Sequence, residues 1–229
     1  MKVSIVVSCF NNTKTAAHMS MLCLDHIRKF TNEEDYELIV VDPAPKFSIR
    51  DDYKTLKLDE CKWVRSDTDI GYTRGMNMGA ALAENEILVF IQNDVFVREG
   101  WLNDLRFYIE EGWEAVFPDQ VPRSREYVLE TYERSRLDDE SLKGGRDAGL
   151  VMITKKAFYR MGKWNEKLSL LAERDFYERM GKAGVGWTDT NKVLITHVMA
   201  ATNLDLLEND PEEYNRRMKE DANKLNGTN

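Results

Sequence analysis

The chain has 229 residues, a formal net charge of −8 and 42% hydrophobic residues. That length suits one large domain or two tightly joined small ones, and the apolar content supports a packed core rather than global disorder. The acidic balance argues against a nucleic-acid partner held by bulk electrostatics, and no apolar run is long enough to form an integral membrane segment.

The opening "MKVSIVVSCF" lacks a small-residue cleavage site, so residues 2–7 read as a first strand rather than a signal peptide. Asn11-Asn12-Thr13 offers a turn and a helix cap. From Thr15 to Phe30 the positions Met19, Leu22, Cys23, His26, Ile27 and Phe30 recur at helical spacing. A second strand over 37–41 is stopped by Pro43 and Pro45. A short strand follows at 62–64, then a Gly-rich loop and helix over 71–85, then the buried strand "ILVFI" at 87–91. That strand ends on Gln92, Asn93 and Asp94 before the chain turns apolar again at Val95-Phe96-Val97. Helical spacing returns at 100–111 and a strand at 115–117. The charged, weakly patterned stretch 119–146 reads as a mobile loop suited to a lid. A strand over 149–154 leads into a helix near Lys155. A helix over 172–184 closes on Gly184, and a last strand covers 192–198. Asp210-Pro211-Glu212-Glu213 is a helix start, with a cap, Pro at the first position and acids near the positive dipole end. Cys9, Cys23 and Cys61 are odd in number and widely spaced, which disfavours a disulfide framework and a Cys-based zinc site. A reduced, cytoplasmic protein is expected.

Alternating strands and helices predict an α/β fold, with a mostly parallel central sheet flanked by helices in a single compact domain. In such sheets ligands bind beyond the carboxyl ends of the strands. Ser8, Phe10, Asp42 and the Gln92-Asn93-Asp94 trio all fall at such ends. There is no G-x-x-x-x-G-K-[ST] loop, no G-x-G-x-x-G after the first strand and no G-x-S-x-G elbow. A strand-end Asp with neutral neighbours suits a divalent cation with hard oxygen ligands, and equally a simple turn.

The segment "IGYTRGMNMGAALAENEILVFIQNDVFVREGWL" resembles the central signature of inverting family-2 glycosyltransferases with a GT-A fold. Gly71-Tyr72, Gly75, Asn77 and Gly79 match its Gly-rich stretch. Gln92-Asn93-Asp94 falls on its D-x-D motif, and Gly100-Trp101-Leu102 on its Gly-Trp-Leu helix start. "VSIVVSCFNN", "YELIVVD", "GLVMITKKAFYRMGKWNEKL" and "AERDFYERMGKAGVGW" resemble further family segments in order, over about residues 2–198.

The resemblance implies a GT-A (Rossmann-like) domain over 1–202, with a nucleotide-binding half at 1–98 and an acceptor and catalytic half at 99–202. A helical tail at 203–229 either packs on the sheet or pairs with a second copy as a homodimer. The implied activity is that of an inverting hexosyltransferase, moving a sugar from a nucleoside-diphosphate donor, a UDP-sugar above all, to a hydroxyl of a glycan or other acceptor. Asp94 and His197 are the implied ligands of Mn²⁺ or Mg²⁺. Ser8, Phe10, Asp42, Arg74, Gly75, Asn77, Gln92 and Asn93 are the implied donor-binding residues. Glu173 is the implied base, with Asp175 as its rival. Trp113, Trp164 and Trp187 are either sugar-stacking platforms or core residues. Set on the resemblance, Gln92 stands where the family has an acid, Glu173 where it has its catalytic Asp, and Ala172 where it has the preceding Glu. Gln92 and Glu173 leave a second reading, a catalytically degenerate nucleotide-sugar-binding protein.

Overall fold

The computed structural model describes residues 1–11, 13–43, 46–47, 49, 61–66, 68–126, 128, 145–146, 149–198 and 201–227. In chain order the elements begin with β1 (Val3–Ser8), α1 (Lys14–Phe30), β2 (Tyr36–Pro43), β3 (Lys62–Ser66), α2 (Tyr72–Leu82), β4 (Ile87–Gln92), β5 (Val95–Val97) and α3 (Trp101–Glu110). They continue with β6 (Ala115–Arg123), β7 (Gly145–Arg146), β8 (Leu150–Thr154), α4 (Lys155–Arg160), α5 (Ala172–Lys182), β9 (Trp187–Val198), α6 (Ala201–Asn209) and α7 (Pro211–Asn226).

One sheet runs in the order β3-β2-β1-β4-β8-β6-β9-β5, with β7 beside β6. Strands β3, β2, β1 and β4 are mutually parallel. Beyond them β8 pairs antiparallel with β4 and β6, and β9 lies parallel to β6. The parallel character expected from the sequence therefore belongs to the first half, and the second half makes the sheet mixed.

Each face of the sheet carries its own core, as the continuous apolar runs of β1 and β4 require. Ile5 and Val7 face one way, into a cluster with Leu24, Phe96 and Trp101. Val6 and Phe90 face the other, with Phe158, Trp164 and Phe176. Successive strand residues point to opposite faces, so neighbours in β1 serve different cores. Helix α1 starts at Thr13, whose hydroxyl accepts the Ala16 N–H at 3.0 Å. Helix α2 lies unusually close to the sheet. A Cβ on Gly75 would sit 2.6 Å from Val41 Cγ1, and one on Gly79 2.4 Å from Val6 Cγ1. The three cysteines form no disulfide.

Several elements differ from the sequence reading, among them β7, which the sequence pattern does not signal, and β9, which begins at Trp187 rather than at residue 192. Strand β6 runs on to Arg123 through Pro118 and Pro122, where only 115–117 read as strand. Prolines ordinarily mark a strand's end, but here the pairing with β9 shifts register between Phe117 and Asp119, and that irregularity accommodates Pro118. Val95–Val97 is a strand, β5, because it pairs with β9. Helix α6 precedes the expected helix start at Asp210. The proposed lid over 119–146 falls largely outside the described residues, at 127 and 129–144.

Candidate active site

Strands β1 and β4 end side by side, with Ser8 opposite Gln92. Past those ends lies an open cleft of about 790 Å³, its mouth included. Ser8, Phe10, Gln92, Asn93 and Asp94 form its floor. Glu173 of α5 and the preceding Ser169-Leu170 form one wall, and Asp69, Gly71 and Tyr72 another. The C-terminal helices close the third side with Asn203, Leu206 and Arg217. The tail thus packs over the cleft of its own chain.

Gln92 and Glu173 are joined directly: Gln92 Nε2 donates to Glu173 Oε1 at 2.8 Å. Asp94 follows in the turn to β5. Its carbonyl accepts the Val198 N–H at 2.9 Å, which brings the end of β9 alongside. His197 Nε2 then lies 3.3 Å from Asp94 Oδ1. Both side chains are buried, and His197 sits behind Asp94 rather than in the cleft lining. Among the described residues, Asp94 Oδ1 accepts no hydrogen bond. A carboxylate oxygen with open lone pairs beside an imidazole nitrogen is a hard O,N donor pair, and it fits Mn²⁺ or Mg²⁺ if phosphate and water oxygens complete the shell. Among the described residues no cluster of three or more His, Cys, Asp or Glu side chains forms a full protein cage.

Asp42 stands at the tip of β2, wholly buried and outside the cleft lining. Burial pushes its carboxyl up to about 6, against the opposing pull of Arg65 and of the Asn11 hydrogen bond. A buried polar chain links it to the floor. Asn11 Nδ2 donates to Asp42 Oδ1 at 3.1 Å, the Ser20 hydroxyl to Asn11 Oδ1 at 2.8 Å, and Asn93 Nδ2 to Ser20 Oγ at 2.8 Å. Asp42 Oδ2 accepts no hydrogen bond among the described residues.

Other expected site residues lie off the cleft. Asp175 is bound by Arg179, whose Nε donates to Oδ2 at 2.6 Å, and Arg179 in turn holds the Met161 and Lys163 carbonyls. Arg74 is exposed on α2, and Gly75 faces Val41. Asn77 latches α2 to the loop before α5. Its Nδ2 donates to Trp164 O and Glu166 Oε1, each at 2.9 Å, and its Oδ1 accepts from Trp164 N at 3.0 Å. Trp164 is stacked on Phe176 in the core, with centroids 4.1 Å apart. Trp113 and Trp187 are exposed elsewhere, so the aromatics lining the cleft are Phe10 and Tyr72. Sequence reasoning missed Asn11 and Ser20 as connectors, and Arg217 as a cation of the cleft. The one available signal was the four-residue spacing of Arg217, Asp221 and Leu225, which share a face of α7.

The curled mixed sheet, with its polar cleft at the β1 and β4 tips, is a GT-A fold. The structure of residues 1–349 of S. aureus TarS superposes with a TM-score of 0.63 at 16% identity, over 97% of this chain and 71% of that one. The structure of GalNAc-T7 with UDP, GalNAc and Mn²⁺ superposes with a TM-score of 0.65 at 15% identity, over 86% of this chain and 44% of that one. No curated protein matches the sequence significantly. The pattern of the glycosyl transferase family 2 covers residues 4–169, and the chain belongs to that family of glycosyltransferases.

Proposed function

We propose that this chain is an inverting glycosyltransferase that moves a sugar from a UDP-sugar to a hydroxyl of a glycan or similar acceptor, with Glu173 as general base. The observation that carries this reading is that Glu173 and Asp94 line the same cleft, with Gln92, two residues before Asp94, hydrogen-bonded to Glu173. In a single displacement the acceptor oxygen bonds to the anomeric carbon, the bond from that carbon to the diphosphate breaks, and Glu173 takes the hydroxyl proton. Asp175 is the weaker choice, because Arg179 already holds its carboxylate away from the cleft.

Asp94 and His197 would hold Mn²⁺ or Mg²⁺. When bound, such an ion supplies positive charge to the departing diphosphate. Arg217 offers guanidinium N–H donors to the same phosphates. Asp42 Oδ2 accepts no hydrogen bond among the described residues and is suited to the imide N–H of a uracil, provided donor binding opens a path to it from the cleft floor, since it is wholly buried here. GalNAc-T7, which shares the fold, binds UDP and Mn²⁺. No helix among the described residues is long and apolar enough to cross a membrane.

A catalytically degenerate binder remains the second reading, favoured by Gln92 at an acidic motif position. The test is a thermal-shift screen of nucleotide-sugars with and without Mn²⁺, run beside turnover of wild type and Glu173→Gln. A UDP-sugar should raise the melting temperature by mass action. Glu173→Gln should keep that rise while turnover falls by about 10²–10⁴. Wild-type turnover in the variant defeats the base assignment. A chain that binds UDP-sugars with no transfer or donor hydrolysis is the degenerate binder, and absence of any nucleotide-sugar shift defeats both readings.

A further inference from the structure

Helix α5, which carries Glu173 as its second residue, has no cap of its own. Its N-cap position is Leu171, whose side chain makes no capping hydrogen bond. The first N–H groups of a helix have no intrahelical partner and need an acceptor from elsewhere. Of these, the Leu171 N–H at the N-cap finds its acceptor on α7, some fifty residues on, and the same acceptor holds the two residues before the helix. Asp221 is 1% exposed. Its Oδ2 accepts the backbone N–H groups of Ser169, Leu170 and Leu171 at 2.8, 2.6 and 3.1 Å. Three successive amides converging on one carboxylate oxygen form an anion nest, filled in this chain by its own side chain. Two of those residues, Ser169 and Leu170, line the cleft. Lys224, one turn further along α7, ties the same stretch by donating to the Lys167 carbonyl at 2.7 Å.

We propose that Asp221 is the positioning residue for Glu173. By anchoring Ser169, Leu170 and Leu171, the three residues that lead into α5, it fixes the cleft wall and the base two residues further on. The proposal rests on the reading of Glu173 as base. A carboxylate base misplaced by about an ångström loses roughly 10²-fold in rate while the donor site is untouched.

The experiment uses the full chain and compares wild type, Asp221→Ala, Asp221→Asn and Glu173→Gln, each assayed below its own melting temperature. The quantities measured are kcat, donor Kd by calorimetry and circular dichroism. Asp221→Ala should lower kcat by about 10–100-fold and leave donor Kd within about threefold. Asp221→Asn keeps an acceptor oxygen in place and should recover part of the loss. A lowered melting temperature with wild-type kcat would reduce Asp221 to a structural clamp and overturn the proposal, as would parallel loss of kcat and donor binding. If Asp221→Ala does not fold, Asp221→Asn decides: a fall in kcat of about 3–10-fold at constant Kd supports positioning, and wild-type kcat overturns it. Wild-type turnover in Glu173→Gln would instead defeat the underlying base assignment. An inactive Glu173→Gln beside an unimpaired Asp221→Ala would defeat only the positioning role.

Discussion

Replacing Gly149 by Ala probes the Asp94–His197 pair with a single methyl group. The added Cβ would stand 2.8 Å from Val95 Cγ2, 3.0 Å from His197 Cε1 and 3.1 Å from His197 Nδ1. Favourable carbon contacts lie near 3.5–4.0 Å, so all three approaches are repulsive. The backbone has little room to yield. Val95 and His197 are direct partners across β5 and β9, both buried, and the Gly149 carbonyl accepts the Gln92 N–H at 2.9 Å. The softest response is rotation of the imidazole, away from its present place 3.3 Å from Asp94 Oδ1. Overpacking of this kind costs about 1–3 kcal/mol. In a chain of this size that lowers Tm by roughly 2–10 °C. Displacing a metal-binding imidazole weakens affinity by about tenfold or more. The assay is differential scanning fluorimetry at fixed UDP-sugar, with and without a Mn²⁺ titration. Gly149→Ala should melt lower without metal and need about ten times more Mn²⁺ for half of the metal-induced rise. A variant that loses stability but keeps the wild-type Mn²⁺ response would remove His197 from the metal site. Wild-type stability would refute the packing argument itself.

Two further substitutions separate structure from ligand binding. The Asp42 carboxyl titrates near 6 in the folded chain against an ordinary 3.8, so the folded state holds its proton more tightly. Stability from this group is therefore present at low pH, is lost as pH rises from about 3.8 through about 6, and is flat above, with a total of at most about 3 kcal/mol. Asp42→Asn removes that slope. The difference in unfolding free energy between variant and wild type, by urea titration, should move in the variant's favour from pH 4 to pH 6.5, and a constant difference would contradict the burial argument. Asn77→Ala removes three hydrogen bonds and strands the Trp164 amide and carbonyl. It should cost about 2–4 kcal/mol in urea unfolding while nucleotide affinity stays within about twofold, and a larger loss of affinity than of stability would return Asn77 to the donor site.

The parts of the fold set by local pattern were legible. The apolar runs at β1, β2 and β4, and the helical spacing of α1 and α3, carry their own signals because burial on one face or two imposes a period. The polar tips of β1 and β4 were legible for the same reason, since ligands gather beyond strand ends. What escaped depends on partners far along the chain. Val95–Val97 is a strand only because β9 returns beside it. Pro118 and Pro122 argued against a strand that pairing with β9 nonetheless builds. Asn77 and Gly75 sit in a motif that reads as donor-binding, and in the fold they hold α2 to the Trp164 loop and to the sheet. The uncapped start of α5 was visible in the sequence as a missing Ser, Thr, Asp or Asn, but nothing local identified Asp221 as the substitute.

Gln92 changes meaning once its neighbour is known. Set against the family motif alone, an amide in place of an acid is a loss, with less charge for a metal. In the fold, residue 92 points its terminal amide at Glu173, 2.8 Å from Oε1. An aspartate or glutamate at 92 would set two carboxylates against each other. Like charges in contact raise the pKa of one member of such a pair, so it holds its proton more tightly. The Gln92 amide supplies a donor where an acid would supply repulsion, and it fixes the direction of the Glu173 carboxylate, which suits the base role proposed for it. Gln92 and Glu173 are thus a matched pair: the carboxylate on α5 meets an amide donor at the strand tip in place of a competing charge.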